Sequence, residues 1–113
     1  MTGKYALSKN SDGRFLFNLK AGNDEKILTS ESYDAKASAE KGIESVRSNA
    51  SIDARFDRMT SNDKKPYFTL KGANGEVIGT SEQYSSDAAM EDGIKAVQAN
   101  APSMTVDDRT QLL

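Results

Sequence analysis

Apolar and polar residues alternate in three short stretches near the start of the chain, and this period of two is typical of β-strands with one buried face. In the second stretch Phe17 and Leu19 share one face, while Asn18 and Lys20 share the other. A turn signal, Asp12-Gly13, stands just before that stretch. The predicted strands are Lys4–Ser8, Arg14–Lys20 and Lys26–Ser30.

After the third strand the period changes to that of a helix. Apolar residues then recur mainly at steps of three or four, which places them in one stripe on a helix surface. The stripe consists of Ala39, Gly42, Ile43, Val46 and Ala50. The remaining positions are mostly polar, including Lys36, Glu40 and Arg47. The pattern therefore predicts an amphipathic helix over approximately Ala35–Ser48.

The whole pattern then occurs a second time. Residues 17–50 align with residues 68–101 without a gap after a shift of 51 positions, and 17 of the 34 aligned residues are identical. A repeat of this kind predicts that one structural unit is built twice. The second set of predicted strands is Arg55–Arg58, Pro66–Lys71 and Glu76–Ser81, and the second helix covers approximately Ser86–Ala99.

Each predicted helix is followed by one more short segment. After the first helix this segment leads into repeat two, and after the second helix it is an extra strand within residues 101–110, where Val106 corresponds to Phe56. No stretch rich in Pro, Gly or Ser separates the repeats, so we expect them to share one core. We therefore predict a single domain over residues 1–113, with repeats at 3–52 and 54–108 and a frayed tail at 109–113.

Gly42 and Gly93 lie in the middle of the predicted helices, on the apolar stripe of each. Glycine at such a position destabilises a helix by about 1 kcal/mol relative to alanine, so its presence in both repeats indicates that another group comes close. We expect that group to be the sheet, with a ligand as the alternative, and Gly93→Leu should then lower the melting temperature. Ser, Thr and Asp residues ahead of each helix are expected to cap its free N–H groups.

Composition narrows the range of functions. The chain contains no Cys and no His, so disulfides, thiolate chemistry and Ser-His-Asp catalysis are all excluded. Its 15 Lys and Arg residues against 17 Asp and Glu give a net charge of −2, which argues against nucleic-acid binding through a basic face. No signal peptide begins the chain and no stretch approaches the roughly 20 apolar residues of a membrane span, so we expect a cytoplasmic protein.

The motifs shared by the repeats resemble those of the YegP-like family of small bacterial proteins. The resemblance is carried by Thr-Ser-Glu-x-Tyr at Thr29–Tyr33 and Thr80–Tyr84, and by Gly-Ile-x-x-Val-x-x-Asn-Ala at Gly42–Ala50 and Gly93–Ala101. It implies an α+β fold in which two tandem β3-α-β repeats form a single antiparallel sheet. Two helices would pack on one face, and the C-terminal strands would be exchanged between the repeats. The resemblance implies no catalytic residue.

The most polar shared motif, Ser-Glu-x-Tyr, lies at the junction between strand and helix in each repeat. In a structural interpretation its serine ends the strand, its glutamate favours the positive end of the helix, and its tyrosine covers the edge of the core. In a functional interpretation the glutamate and tyrosine line a small polar pocket. The candidate binding residues are Ser30, Glu31, Tyr33, Ser81, Glu82 and Tyr84.

A second candidate is the face of the sheet that points away from the helices. The alternation of residues places Asn18, Lys26 and Leu28 of repeat one on this face, with Thr69 and Val77 of repeat two. It would either remain solvated or bind a partner. The candidate surface residues are Leu16, Lys20, Tyr67 and Lys71.

From the sequence we expect a non-catalytic binding or protein-interaction module. The alternative is a small-molecule-binding protein or a minor enzyme that uses the Ser-Glu-x-Tyr junctions. The adjacent aspartates Asp107-Asp108 are expected to be solvated, so we predict neither a metal site nor a cofactor. The expected partner is a protein or a small molecule rather than nucleic acid, and the chain is expected to be a monomer that could self-associate weakly through its sheet face.

Overall fold

A computed structural model describes residues 3–110, which form one seven-stranded sheet with two helices. The strands are β1 (Lys4–Lys9), β2 (Phe15–Lys20), β3 (Lys26–Ser30), β4 (Phe56–Thr60), β5 (Pro66–Lys71), β6 (Val77–Thr80) and β7 (Val106–Asp108). The helices are α1 (Lys36–Asn49) and α2 (Asp87–Asn100), and a 3₁₀ turn, Asp53–Arg55, precedes β4. These elements match the alternating and helical patterns of the sequence.

The strand order shows how the two repeats combine into one sheet. It runs β4-β5-β6-β3-β2-β1-β7, so the three strands of each repeat stay together and the repeats meet where β3 pairs with β6. At this seam Thr29 lies opposite Thr80, its own counterpart after the shift of 51 positions. The predicted α+β fold of two tandem repeats in one sheet is confirmed, and the seam lies on an approximate twofold axis.

The terminal strand β7 belongs to repeat two in sequence but joins repeat one in space. It pairs with β1, and Tyr5 lies opposite Val106. This pairing is parallel, whereas the other neighbouring strands are antiparallel, so the sheet is mixed rather than purely antiparallel. The direction follows from the path of the chain, which crosses over the sheet in α2 before it enters β7. One edge of repeat one is thus completed by repeat two.

A β-bulge in β3, opposite the end of β2, changes which side chains face the core. Leu19 pairs with Leu28 while Lys20 pairs with Lys26, so Ile27 is an extra residue on β3. Leu28 shares the face of Leu19 and is buried with it. The prediction that Leu28 lies on the outer face is therefore wrong, because simple alternation does not account for an inserted residue. The same bulge recurs in repeat two.

Leu28 fills the seam between the repeats together with its counterpart, Gly79. A methyl group added to Gly79 would lie 2.9 Å from Cγ of Leu28 and 3.1 Å from the carbonyl oxygen of Thr29. Near a twofold axis two leucines would collide and two glycines would leave a void. Leu28 of repeat one and Gly79 of repeat two therefore form a complementary pair at the seam.

Both helices lie on the same face of the sheet and close a single core. Buried side chains from both repeats belong to one cluster, and they include Phe17, Ile43, Phe68 and Ile94. The apolar stripes predicted for the two helices form the helical side of this core. Neither helix of residues 3–110 has the length and apolar content needed to cross a membrane.

The helix starts differ between the repeats. Ser86 accepts a hydrogen bond from the N–H of Ala89 at 3.1 Å, which confirms the predicted cap for α2. The corresponding residue before α1 is Ala35, which has no side-chain acceptor, so the predicted cap for α1 is wrong.

In the predicted tail, the N–H of Arg109 donates to the carbonyl oxygen of Leu7 at 2.8 Å, and residues 111–113 lie outside the described part.

Candidate functional site

The two junction tyrosines are held in place by their backbones. Tyr33 exchanges two hydrogen bonds of 2.7 Å with Phe15, and the N–H of Tyr84 donates to the carbonyl oxygen of Pro66 at 2.8 Å. Each tyrosine is thereby fixed beside the first residue of the middle strand of its repeat. Its ring extends from there over the glycine of the following helix.

The glycines Gly42 and Gly93 are needed because of these tyrosines. A methyl group added to Gly42 would lie 2.7 Å from the hydroxyl oxygen of Tyr33, and one added to Gly93 would overlap the hydroxyl of Tyr84. The predicted close approach to each helix is confirmed, but the expectation that the sheet makes it is wrong for Gly93, where the three nearest atoms all belong to Tyr84. Phe17, on the sheet, also lies within 2.9 Å of a methyl group placed on Gly42.

Beside each tyrosine lies a cleft between the helix of one repeat and the β-hairpin of the other. The first cleft, of about 420 Å³, is lined by Tyr33, Ser38, Lys41, Gly42 and Ser45 of repeat one and by Gly72, Asn74, Glu76 and Ile78 of repeat two. The second cleft, of about 340 Å³, is lined by Tyr84, Ala89, Asp92, Gly93 and Ala96 of repeat two and by Ala21, Asn23, Glu25 and Ile27 of repeat one.

The two clefts are related position by position. Every residue of the first cleft corresponds to a residue of the second cleft after the shift of 51 positions. Five of the nine pairs are identical, namely the tyrosine, glycine, asparagine, glutamate and isoleucine pairs. The other four are Ser38/Ala89, Lys41/Asp92, Ser45/Ala96 and Gly72/Ala21. Because each cleft takes residues from both repeats, neither could form from one repeat alone.

Carboxylates act on the tyrosine hydroxyls from the Ser-Glu-x-Tyr motif in both repeats and, in the second cleft only, from across the cleft. Burial, and secondarily the charge of Glu31, raises the pKa of Tyr33. Burial also raises the pKa of Tyr84, with smaller contributions from Glu82 and from Glu25 across the second cleft. Both phenols therefore stay neutral at pH 7, where each can donate or accept a hydrogen bond.

The remaining residues of the Ser-Glu-x-Tyr motif lie outside the two clefts. Ser30 and Ser81 each accept a hydrogen bond from the next strand, from the N–H groups of Phe17 at 2.8 Å and Phe68 at 3.0 Å. Each serine also donates to the carbonyl oxygen of the following glutamate, at 2.8 Å in both repeats. Glu31 and Glu82 are exposed. The motif therefore contributes its tyrosines to the clefts, while its serines complete the sheet.

The candidate residues of the outer sheet face are placed as the alternation predicts, and the lysines are paired. Lys20 lies 3.7 Å from a carboxylate oxygen of Asp24, and Lys71 lies 2.9 Å from Asp57. Leu16 and Tyr67 are only half-buried, opposite Ser8 and Met59 on the neighbouring strands. This face therefore combines ion pairs with apolar groups such as the neighbouring Tyr67 and Met59.

One further polar cavity, of about 510 Å³, lies at the turn between β4 and β5. It is lined by Thr60, Ser61, Asn62, Asp63, Tyr67, Ser81 and Gln83. Its polar side chains are hydroxyl groups, amides and the carboxylate of Asp63. Within residues 3–110 no group of three or more acidic side chains is close enough to hold a metal ion.

The hairpin residues Asn23, Glu25, Asn74 and Glu76 complete the clefts and were missed by sequence reasoning. The sequence pattern places Asn23, Glu25 and Asn74 in turns and Glu76 at the start of a strand. The N–H groups of Glu25 and Glu76 both donate to the side-chain oxygen of the asparagine two residues earlier, at 3.1 Å. Their identity in the two repeats was the available signal. What the sequence could not supply was the crossing of the repeats, which brings each hairpin to the opposite helix.

Comparison with known protein families gives a match in each repeat. The family described as "Domain of unknown function (DUF1508)" matches residues 10–57 and again residues 61–108. The two matches together cover most of the chain, and each one runs through the helix of one repeat into the strand that follows that helix.

Similar proteins occur in several bacteria. A UPF0339 protein of Acinetobacter baylyi is 53% identical over 110 residues, covering 97% of this chain and 99% of the relative. The solution NMR structure of a UPF0339 protein from Shewanella oneidensis is 51% identical, with a TM-score of 0.93 over 99% of this chain and 95% of that one. The solution NMR structure of the protein of unknown function yegP from Escherichia coli is 50% identical, with a TM-score of 0.95 over 100% and 97%.

Proposed function

The chain belongs to the DUF1508 family and is similar to the UPF0339 and YegP proteins, and we propose that it is a non-catalytic module that binds small molecules in its two clefts. The resemblance to the YegP-like family is thereby confirmed. The family carries no assigned activity, so the proposal is drawn from the site itself.

The observation that carries the proposal is the one-to-one correspondence of the cleft residues. All nine positions of one cleft recur in the other. Three of the five identical pairs have polar side chains, namely the tyrosine, asparagine and glutamate pairs. Packing accounts for the tyrosine, glycine and isoleucine pairs, and turn geometry accounts for the asparagines. The glutamates are exposed, and packing does not require two of them beside the tyrosine rings.

The chemistry of the clefts supports binding rather than catalysis. Each cleft offers a neutral phenol, a carboxylate, an amide and one apolar wall, which can orient a small polar ligand. A tyrosine whose pKa is raised keeps its proton at pH 7 and is a poor general base there. The paired lysines of the outer sheet face give less support to docking on that surface.

The proposal also includes the setting in which the protein acts. A chain that supplies both repeats does not need a second copy to complete either cleft, which supports a monomer. A net charge of −2 supports partners other than nucleic acid. The proposed location is the cytoplasm.

Backbone amide NMR with a library of small polar compounds tests this function. Compounds that bind should change the chemical shifts of the backbone amides of Gly42, Gly93 and the two cleft-lining hairpins. Ala96→Leu should block the second cleft, whereas Ala99→Leu, three residues further along α2 and exposed, should leave binding unchanged. The proposal fails if no compound binds in either cleft, or if Ala96→Leu and Ala99→Leu change binding in the second cleft equally.

A further inference from the structure

We propose that the two clefts have diverged in ligand charge, and that the second cleft selects small organic cations with an apolar body. This inference rests on the proposed function, because it assigns a ligand class to one of the two proposed sites. It comes from the four lining pairs that differ between the clefts.

The second cleft carries two negative charges, one on each wall. Glu25 lies on the hairpin wall and Asp92 on the helix wall. Among residues 3–110 no Lys or Arg nitrogen lies within 4.0 Å of either carboxylate. An ammonium group between the two walls would be attracted by both.

The other lining residues of the second cleft are mostly apolar and suited to contact with a hydrocarbon chain. Ala21, Ile27, Ala89 and Ala96 line it, where the first cleft has the two hydroxyl groups of Ser38 and Ser45 on its helix wall. The ring of Tyr84 stacks on Phe68 at 6.1 Å between centroids, so it forms a fixed wall. The charge of Glu25 acts across this space, since it contributes to the raised pKa of Tyr84. A cation with a short alkyl chain matches both the charge and the walls.

The first cleft lacks this preference. Lys41 occupies the position of Asp92 and stands opposite Glu76, so the two charges of the cleft cancel. Its hydroxyl groups add hydrogen-bonding capacity in place of apolar surface. The first cleft is therefore an internal control with the same tyrosine, glycine, asparagine and glutamate but without the net negative charge.

Titration with butylammonium chloride and with neutral 1-pentanol, followed by backbone amide NMR at low salt, tests the inference. Butylammonium should shift the amides of Asp92, Gly93 and Glu25 and should bind more tightly than 1-pentanol. Asp92→Lys should weaken butylammonium binding by about fivefold or more, since an attraction becomes a repulsion. Lys41→Asp should make the first cleft respond to butylammonium. Both residues are exposed, so the variants should stay folded.

The outcomes separate this inference from the proposed function. Equal binding of the two probes in the second cleft, or an unchanged butylammonium affinity in Asp92→Lys, would overturn the charge preference and leave the cleft as a neutral binding site. If neither butylammonium nor 1-pentanol shifts the second cleft, while other compounds bind in the first, the inference fails and the proposed function stands. If no compound shifts either cleft, both fail.

Discussion

The contact between each junction tyrosine and the glycine of the following helix explains both residues. Tyr84 is fixed by the hydrogen bond from its N–H group to Pro66 and lies where a side chain at position 93 would be. The pair recurs as Tyr33 and Gly42, so the sequence could show that something approaches the helices. It could not show that the group is the tyrosine, because the motif is nine residues away and its ring direction depends on pairing with the middle strand.

Gly93→Ala should destabilise the protein for this reason. In an open helix alanine would be more stable than glycine by about 1 kcal/mol. Here the added methyl group overlaps the hydroxyl of Tyr84, and such overpacking typically costs about 1–3 kcal/mol. In a Tyr84→Ala background the same substitution should become neutral or stabilising. Urea unfolding of the four proteins measures this coupling, and equal effects of Gly93→Ala in both backgrounds would refute the contact.

At the level of elements, the periodic pattern predicted nearly all of the strands and helices but not their exact pairing. Pro66–Lys71 and Lys26–Ser30 were predicted with their observed bounds. The bulge in β3 is not predicted by the pattern, because simple alternation places the adjacent apolar residues Ile27 and Leu28 on opposite faces of the strand. The direction of β7 was missed as well, since three residues carry no signal of parallel pairing. Both features depend on the neighbouring strand.

The unequal helix caps give a prediction at this level. Ala35 already has the extended backbone of a capping residue, with φ −125° and ψ 145°. Ala35→Ser should therefore accept a hydrogen bond from the N–H of Ser38 and raise the free energy of unfolding by about 1 kcal/mol. Ser86→Ala should lower it by a similar amount. Thermal unfolding measures both, and a destabilised Ser86→Ala protein beside an unchanged Ala35→Ser protein would show that the repeats are not equivalent here.

At the level of the whole molecule, the repeats combine into one core with two clefts between them. Each repeat gives its helix to one cleft and its hairpin to the other, and β7 of repeat two completes the edge of repeat one. The sequence indicated the duplication and a shared core. The composite clefts could not be read from it, because residues far apart in the chain, such as Tyr33 and Glu76, come together only through the crossing of the repeats. If the repeats form one unit, the clefts exist only in the intact chain.

Native-state hydrogen exchange of Leu7→Ala tests this unity most directly. Leu7 is buried in β1, which pairs with β7 at one edge of the sheet and is separated from β4, β5 and β6 of repeat two by β2 and β3. Its truncation should lower the free energy of unfolding by about 2–5 kcal/mol. If the repeats unfold together, the slowest amides of β5 in repeat two should lose the same protection as those of β2 in repeat one. Full protection retained in β5, with loss confined to repeat one, would contradict the account.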